Sequence, residues 1–443
     1  MGDPTPSLST RRILALWWPL AASWLLMGIE LPLFTACVAR MAAPEVNLAA
    51  YGSLVFPLAL VIEAPIMMLL AAATALASDA ESWGRVRRFM HKASAALTAL
   101  HVAVAFTPLF DLLAERVFKV PAEVVEPARL GLRIMTPWTW SIAYRRTHQG
   151  VLIRHERGRV VMLGSAVRLL ANVAVYAVGL AMTRAGHAPR GIVVGAAAVV
   201  SGVLAEALFI GACTRALLAS HPLPAHALGP ALTRGGFLRF YVPLALTPLI
   251  ALATQPIGAA AMARMQDPLE SLAAWPGVHG MLFLVRTGGF AFNEVVLSLL
   301  AVPGAVVALR RFGLVLGTLS SLVLAVLAFT SLAGAWFGSV SGLPPALVDA
   351  ASRAVLFAAL WPFAQALASW FQGSLTFHKR TRHVTESMVV YFAAVAGFLW
   401  CGVNLSAARG LTWTVGALTA ASLVQTAWLG WRARALRDVD SVG

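Results

Sequence analysis

The sequence predicts an all-α polytopic membrane protein: twelve transmembrane helices in two parallel six-helix repeats around a central cleft. Three observations predict it. The first is composition: of 443 residues, 59% are hydrophobic and 12% charged, with a mean hydropathy of +0.77. An ordinary soluble domain is about a quarter charged. The second is length: apolar runs longer than about 18 residues recur throughout, each enough to cross a hydrocarbon core of roughly 30 Å. The third is internal repetition. The stretch Trp17–Tyr51 returns as Tyr241–Trp275 at an offset of 224 residues. Pro19-Leu20-Ala21 returns as Pro243-Leu244-Ala245, Pro32 as Pro256, and Ala39-Arg40-Met41 as Ala263-Arg264-Met265. Pro44 returns as Pro268 and Leu48-Ala49-Ala50 as Leu272-Ala273-Ala274. Aligned prolines, an arginine and a methionine are beyond what apolar composition produces, so a unit has been duplicated.

The expected spans are Leu14–Val38, Ala49–Ala77, Met90–Leu113, Val124–Ile153, Val160–Met182, Gly191–Leu218, Phe240–Ala263, Ala273–Val302, Phe312–Phe337, Pro345–Phe377, Val384–Leu405 and Leu411–Trp431. Several exceed the length a span needs, which tilt accommodates. They divide the chain into a first bundle (1–219), a cytoplasmic linker (220–234, Pro- and His-rich) and a second bundle (235–443). The net charge of +15 sits mostly in alternate short loops. Arg85, Arg87, Arg88 and Lys92 fall after span two, Arg154, Arg157 and Arg159 after span four, and Lys379, Arg380 and Arg382 after span ten. The other loops carry Glu45, Glu115, Glu123, Glu126, Asp267 and Glu270. By the positive-inside rule both termini are cytoplasmic. The basic balance is therefore a topology signal, and no nucleic-acid partner is expected; the partners are the lipid bilayer and a small molecule. The Arg11-Arg12 start shows no separate signal peptide before the first span, which is expected to serve as its own insertion signal. Ala- and Arg-rich composition suggests a bacterial inner membrane. Cys37, Cys213 and Cys401 lie far apart in apolar runs and read as buried small residues.

Ionisable groups at mid-depth are costly and mark a pathway. Glu63 in span two and Arg286 in span eight both fall near the midplane, and Glu63 aligns with Thr287, beside Arg286. Across a pseudo-two-fold axis they are expected to approach from opposite halves, as a static ion pair or as contacts to substrate or coupling ion. Asn293 and Glu294 lie about two turns beyond Arg286, on a similar side of the helix. Glu30 precedes Pro32; its repeat partner Thr254 stands beside Gln255 and Pro256. Proline frees a backbone carbonyl, which suits an ion site. Arg145, Arg146 and Arg168 are expected nearer the cytoplasmic surface, snorkelling to head groups or lining a vestibule. No phosphate loop, HExxH, CxxC pair or GxSxG occurs, and no loop is long enough to fold as a domain. No enzyme, cofactor or resident metal is expected.

A second repeat joins His148-Gln149-Gly150 through His155 to Phe371-Gln372-Gly373 through His378, at an offset of 223. Its glycine suits close helix approach or a turn. Two parallel six-span halves with Gln-Gly closing spans four and ten resemble the multidrug/oligosaccharidyl-lipid/polysaccharide exporter superfamily, which includes MATE-type cation-coupled antiporters. Pro243-Leu244-Ala245-Leu246, Ala253-Thr254-Gln255-Pro256 and Ala50-Tyr51-Gly52 are most similar to the progressive ankylosis (ANK) family. That resemblance implies alternating-access export of an anion such as pyrophosphate, citrate or a nucleotide, met by Arg286 and the vestibule arginines. Drug-exporting relatives use membrane carboxylates to bind H⁺ or Na⁺, a role that would suit Glu30, Glu63 and Glu294. The alternatives are therefore a cation-coupled multidrug or lipid-linked precursor exporter and, in another class, a non-transporting membrane scaffold.

Overall fold

In a computed structural model the described residues are 8–155, 157–225, 232–378, 380–404 and 409–440, without the side chains of 243, 244, 247, 251 and 435–440. Residues 226–231 of the expected linker, Lys379, Leu405, and the side chains of Pro243, Leu244 and Arg437 lie outside that set. The described chain is helical with no β-strand. In order the helices are α1 (Thr10–Val38), α2 (Pro44–Leu76), α3 (Ala80–Phe106), α4 (Ala122–Ile134, then Thr136–Arg154), α5 (Gly158–Arg184) and α6 (Gly191–Ser220). The second half continues with α7 (Arg234–Leu252, then Thr254–Met262), α8 (Pro268–Leu299), α9 (Ala305–Phe329), α10 (Pro345–Ala358, then Trp361–Phe377), α11 (Thr381–Asn404) and α12 (Gly410–Asp440). Among the described residues eight are long and apolar enough to cross a membrane, or nine if the pair forming α10, bent by 43°, counts as one. The helices follow the twelve expected spans. The long part of α4, with Arg145, Arg146, His148 and Gln149, is not apolar enough to count by composition, and α7 is interrupted at Ala253 ahead of Pro256. The outward faces are apolar: Leu170 is 69% and Phe329 70% exposed, tolerable only against lipid. Of the cysteines only Cys37 is buried; Cys213 is half-buried, and Cys401 is exposed beside Trp400 on the outer stripe of α11.

The duplication extends from residues to backbone geometry. Ala43 and Asp267, at the start of α2 and α8, share a left-handed conformation (φ 47° and 54°). Asn47 accepts a 3.0 Å hydrogen bond from the Ile192 amide, and Ser271 accepts one of 3.0 Å from the Leu411 amide. α3 and α9 end alike: Thr107 donates to the Ala103 carbonyl at 2.6 Å, Thr330 to the Val326 carbonyl at 2.6 Å. A wide π turn then follows in each half, Leu112–Phe118 and Trp336–Val340. Each turn closes on a left-handed residue, Lys119 (φ 55°) and Gly342 (φ 68°). A side chain there is strained where glycine is free. Lys119→Gly is therefore expected to stabilise by up to about 1 kcal/mol and Gly342→Lys to destabilise by about as much, read as shifts of opposite sign in the thermal midpoint of purified protein.

The compact units do not follow the sequence halves. One comprises Met1–Ala36 with Arg264–Gly443, the other Cys37–Ala263. They arise because the first helix of each half packs with the other half's helices. In the first unit Trp17 of α1 donates its Nε1–H to the Gly288 carbonyl of α8 at 2.9 Å. Pro32 seats on Gly280, where an added Cβ would come within 2.9 Å of the proline ring. In the second unit Tyr241 of α7, the repeat partner of Trp17, donates to the Pro65 carbonyl of α2 at 2.6 Å. The same anchoring bond is made twice.

Candidate functional site

The second unit holds its polar residues on the inward faces of α2, α4, α5 and α6. Glu206 is the centre. It stands midway along α6, fully buried, in the run Gly202–Gly211. Arg145 donates from Nη1 to Glu206 Oε2 at 2.6 Å, and Gln149, one turn along α4, donates to Oε1 at 3.0 Å. Arg168 of α5 stands 3.6 Å from the same carboxylate. Gly164 admits this packing: a Cβ there would meet Glu206 Cγ at 3.4 Å. Arg145 and Arg168 are each 5% exposed, so neither snorkels to a membrane surface; burial on Glu206 has captured both. Arg146 is half-buried and points a guanidinium N–H at the sulfur of Met67, 3.9 Å away. Among the described residues, the Nε–H groups of Arg145 and Arg146 find no hydrogen-bond partner. Glu63 is 2% exposed, at the point where α2 tightens into the turn Ala64–Ile66 before Pro65. Its carboxylate accepts the Nε1–H of Trp138 and feels the charges of Arg146 and Arg145. Five ionisable groups thus meet inside one unit, three guanidiniums against two carboxylates. His101 is also buried, held by Thr139 at 3.2 Å and the Leu132 carbonyl at 2.9 Å, and is a packing residue.

In the first unit Arg286 is held by an amide and aromatic rings, with no carboxylate of that unit paired to it among the described residues. Its Nη2 donates to Gln365 Oε1 at 2.7 Å, and its guanidinium lies 4.1 Å over the Trp361 ring and 5.2 Å from that of Phe290. Such a stack attracts a cation through the ring quadrupole. Gly288-Gly289 makes the seat possible. A Cβ at Gly289 would lie 2.8 Å from Gln365 Cγ, and one at Gly288 2.9 Å from the Trp17 ring. One turn on, Phe290 packs against Trp24 at 5.1 Å. Glu294, a further turn on, is exposed and takes a hydrogen bond from Trp24. Arg286 and Glu294 therefore share one stripe with Phe290 between them. Asn293 ties α8 to the Ser369 carbonyl of α10 at 3.3 Å. Glu30 is half-buried just past the break in α1, in this unit. Thr254 (7% exposed) and half-buried Gln255 open the second part of α7, in the other.

The repeat shows which of these charges the fold requires. At the 223 offset Trp138 corresponds to Trp361. One indole gives its N–H edge to a carboxylate, the other its face to a guanidinium. A duplicated seat thus holds opposite charges. Arg145 corresponds to Ala368 and Arg168 to Tyr391. The Ile192–Leu411 equivalence places Glu206 opposite Gln425. Gln425 donates to Ser387, the counterpart of Gly164, at 3.4 Å. The same helix packing therefore stands with neutral residues throughout. Sequence reading missed Glu206, Trp138, Trp361 and Gln365, and took Gln149 only as part of the repeated Gln-Gly motif. Glu206 carried the signal that singled out Glu63, a lone carboxylate in an apolar span.

No protein-family model and no curated protein matches the chain. Solved structures do. A MATE transporter of Vibrio cholerae superposes with a TM-score of 0.69 at 15% identity, covering 96% of this chain and 97% of that one. The lipid II flippase MurJ gives 0.67 at 12% identity, over 94% and 87%. A superfamily transporter of Pyrococcus furiosus gives 0.65 at 15%, over 98% and 99%; its binding pocket is described as reversed in polarity, suggesting a different function. At these identities the likeness is one of fold.

Proposed function

We propose that this chain is a secondary active transporter that works by alternating access and exports a small organic or phosphate anion such as pyrophosphate or citrate. One observation carries the reading. Buried guanidiniums outnumber carboxylates at positions where the other half folds with Ala368, Tyr391 and Gln425 instead. Buried charge is costly, and well-packed neutral residues hold a fold as well or better. A cluster that packing does not need is kept for a ligand, and spare N–H groups on arginine suit phosphate or carboxylate. Arg286, Arg145 and Arg146 are the anion contacts in this reading. The likeness to the ANK family points the same way.

A second reading has its own support. Glu63, held by an indole N–H rather than by a guanidinium, suits a site for H⁺ or Na⁺, with Glu30 and Glu294 as further carboxylates. Two of the fold relatives are described as a MATE transporter and a lipid II flippase, which fits a cation-coupled exporter of drugs or lipid-linked precursors. A non-transporting scaffold is disfavoured by the same surplus of charge.

In proteoliposomes, Arg286→Gln and Arg146→Gln are each expected to lower pyrophosphate or citrate transport ten- to a hundredfold. That is the worth of a charge-assisted hydrogen bond of about 1.5–3 kcal/mol. Parental anion rates in both variants would overturn the assignment. Glu63→Gln is expected to spare tracer exchange and abolish its response to an imposed H⁺ or Na⁺ gradient.

A further inference from the structure

A second basic site lies in the unit Cys37–Ala263, apart from the Glu206 cluster. It is a cavity of about 580 Å³ among the first turns of α3 and the last turns of α4 and α6. Arg87, Arg88, His91 and Arg215 line it with His148 and Tyr144, and no lining residue is acidic. Its wall is built. Tyr144 stacks on His148 with ring centres 4.0 Å apart, and Trp83 meets His148 edge-on at 5.4 Å. His148 is fixed by donation from Nδ1 to the Tyr144 carbonyl at 2.8 Å. Tyr144 lies over Gly211, where a Cβ would come within 2.4 Å of the ring. The nearby acids are engaged elsewhere: Glu81 pairs with Arg85 at 2.5 Å, and Asp79 caps α3 through the Ser82 amide at 2.9 Å. Arg87, Arg88 and Arg215 are exposed and make no hydrogen bond or ion pair with any described residue.

We propose that this cavity binds the phosphate head group of an anionic phospholipid. Three guanidiniums facing one space repel one another until an anion enters, and forked N–H donors fit phosphate oxygens. The lipid is favoured over a soluble anion by what adjoins the cavity. Beneath Arg215 on α6, Ala212 and Leu208 continue the same exposed stripe, Leu208 at 55%. Beneath His91 on α3, Ala95, Ala99 and Val102 do the same, Val102 at 40%. Acyl chains can follow these stripes while the phosphate stays at the helix ends, a depth suited to a head group. The other half carries Phe371 in place of His148, lying over Gly430, where an added Cβ would come within 3.2 Å of the ring.

Native mass spectrometry of the full chain, with titrated phosphatidylglycerol, phosphatidylcholine or inorganic phosphate, tests this. The parent is expected to retain phosphatidylglycerol at least tenfold more tightly than phosphatidylcholine. Arg88→Gln with Arg215→Gln is expected to weaken it about 30-fold, two charges near the surface being removed. His148→Phe, which imports the other half's residue, is expected to block it, and Arg311→Gln, outside the cavity, to leave it unchanged. Equal retention of both lipids, unaltered binding in the double variant, or full displacement by millimolar inorganic phosphate would each overturn the proposal.

Discussion

Glu206→Leu is expected to destabilise the protein by about 3–5 kcal/mol, the cost of stranding buried charges once their partner is removed. Arg145 (2.6 Å) and Arg168 (3.6 Å) both lean on that one carboxylate, and both are nearly inaccessible to water. The loss should not be additive. Combining Arg145→Ala, Arg168→Tyr and Glu206→Gln copies what the second half carries at these places, and should return stability to within about 1.5 kcal/mol of the parent. Anion transport should stay lost in the combination. Thermal unfolding of purified protein in detergent decides the first point. A combination less stable than Glu206→Leu alone would mean that the cluster serves the fold and not a ligand.

Gly150→Ala is expected to be the most damaging single-methyl change in α4. A Cβ there would lie 2.4 Å from the Leu70 carbonyl oxygen, 2.7 Å from Ala73 Cβ and 2.9 Å from the Thr74 amide. Two of these are backbone atoms of α2, so a whole helix must move. Thr74 also donates to the Gly150 carbonyl at 3.1 Å, a bond that movement breaks. A Cβ at the counterpart Gly373 would lie 2.7 Å from the Val296 side chain and 3.2 Å from the Asn293 carbonyl oxygen, and a side chain can yield where a backbone cannot. About 3 kcal/mol or more is expected for Gly150→Ala and roughly 1 kcal/mol for Gly373→Ala. Equal losses would show that α2 and α8 give way alike.

Much of this was legible from residues alone. The duplication was visible in three aligned prolines, and the backbone repeats it down to Thr107 and Thr330. The Gln-Gly motif left a turn or a close approach open; it is close approach, inside a continuous helix. The compact units were not legible. Nothing in the order of spans tells that Trp17 bonds to Gly288 and Tyr241 to Pro65, because an apolar helix fits either bundle equally well. The partner of the arginines was hidden for a related reason. Snorkelling is the default for a cation near a helix end. Only the partner, a single Glu206 some 60 residues away, turns Arg145 inward. The aromatic seats were hidden too, since one tryptophan type serves a carboxylate by its edge and a guanidinium by its face.

The surplus of buried guanidinium is the physical core of the proposed anion transport. Tracer exchange by the unmodified protein in sealed liposomes tests it most directly. Radiolabelled pyrophosphate and citrate are compared with a cationic dye, against empty liposomes. Saturable uptake of one anion with no uptake of the dye is the predicted result; saturable dye uptake with both anions at background would contradict it.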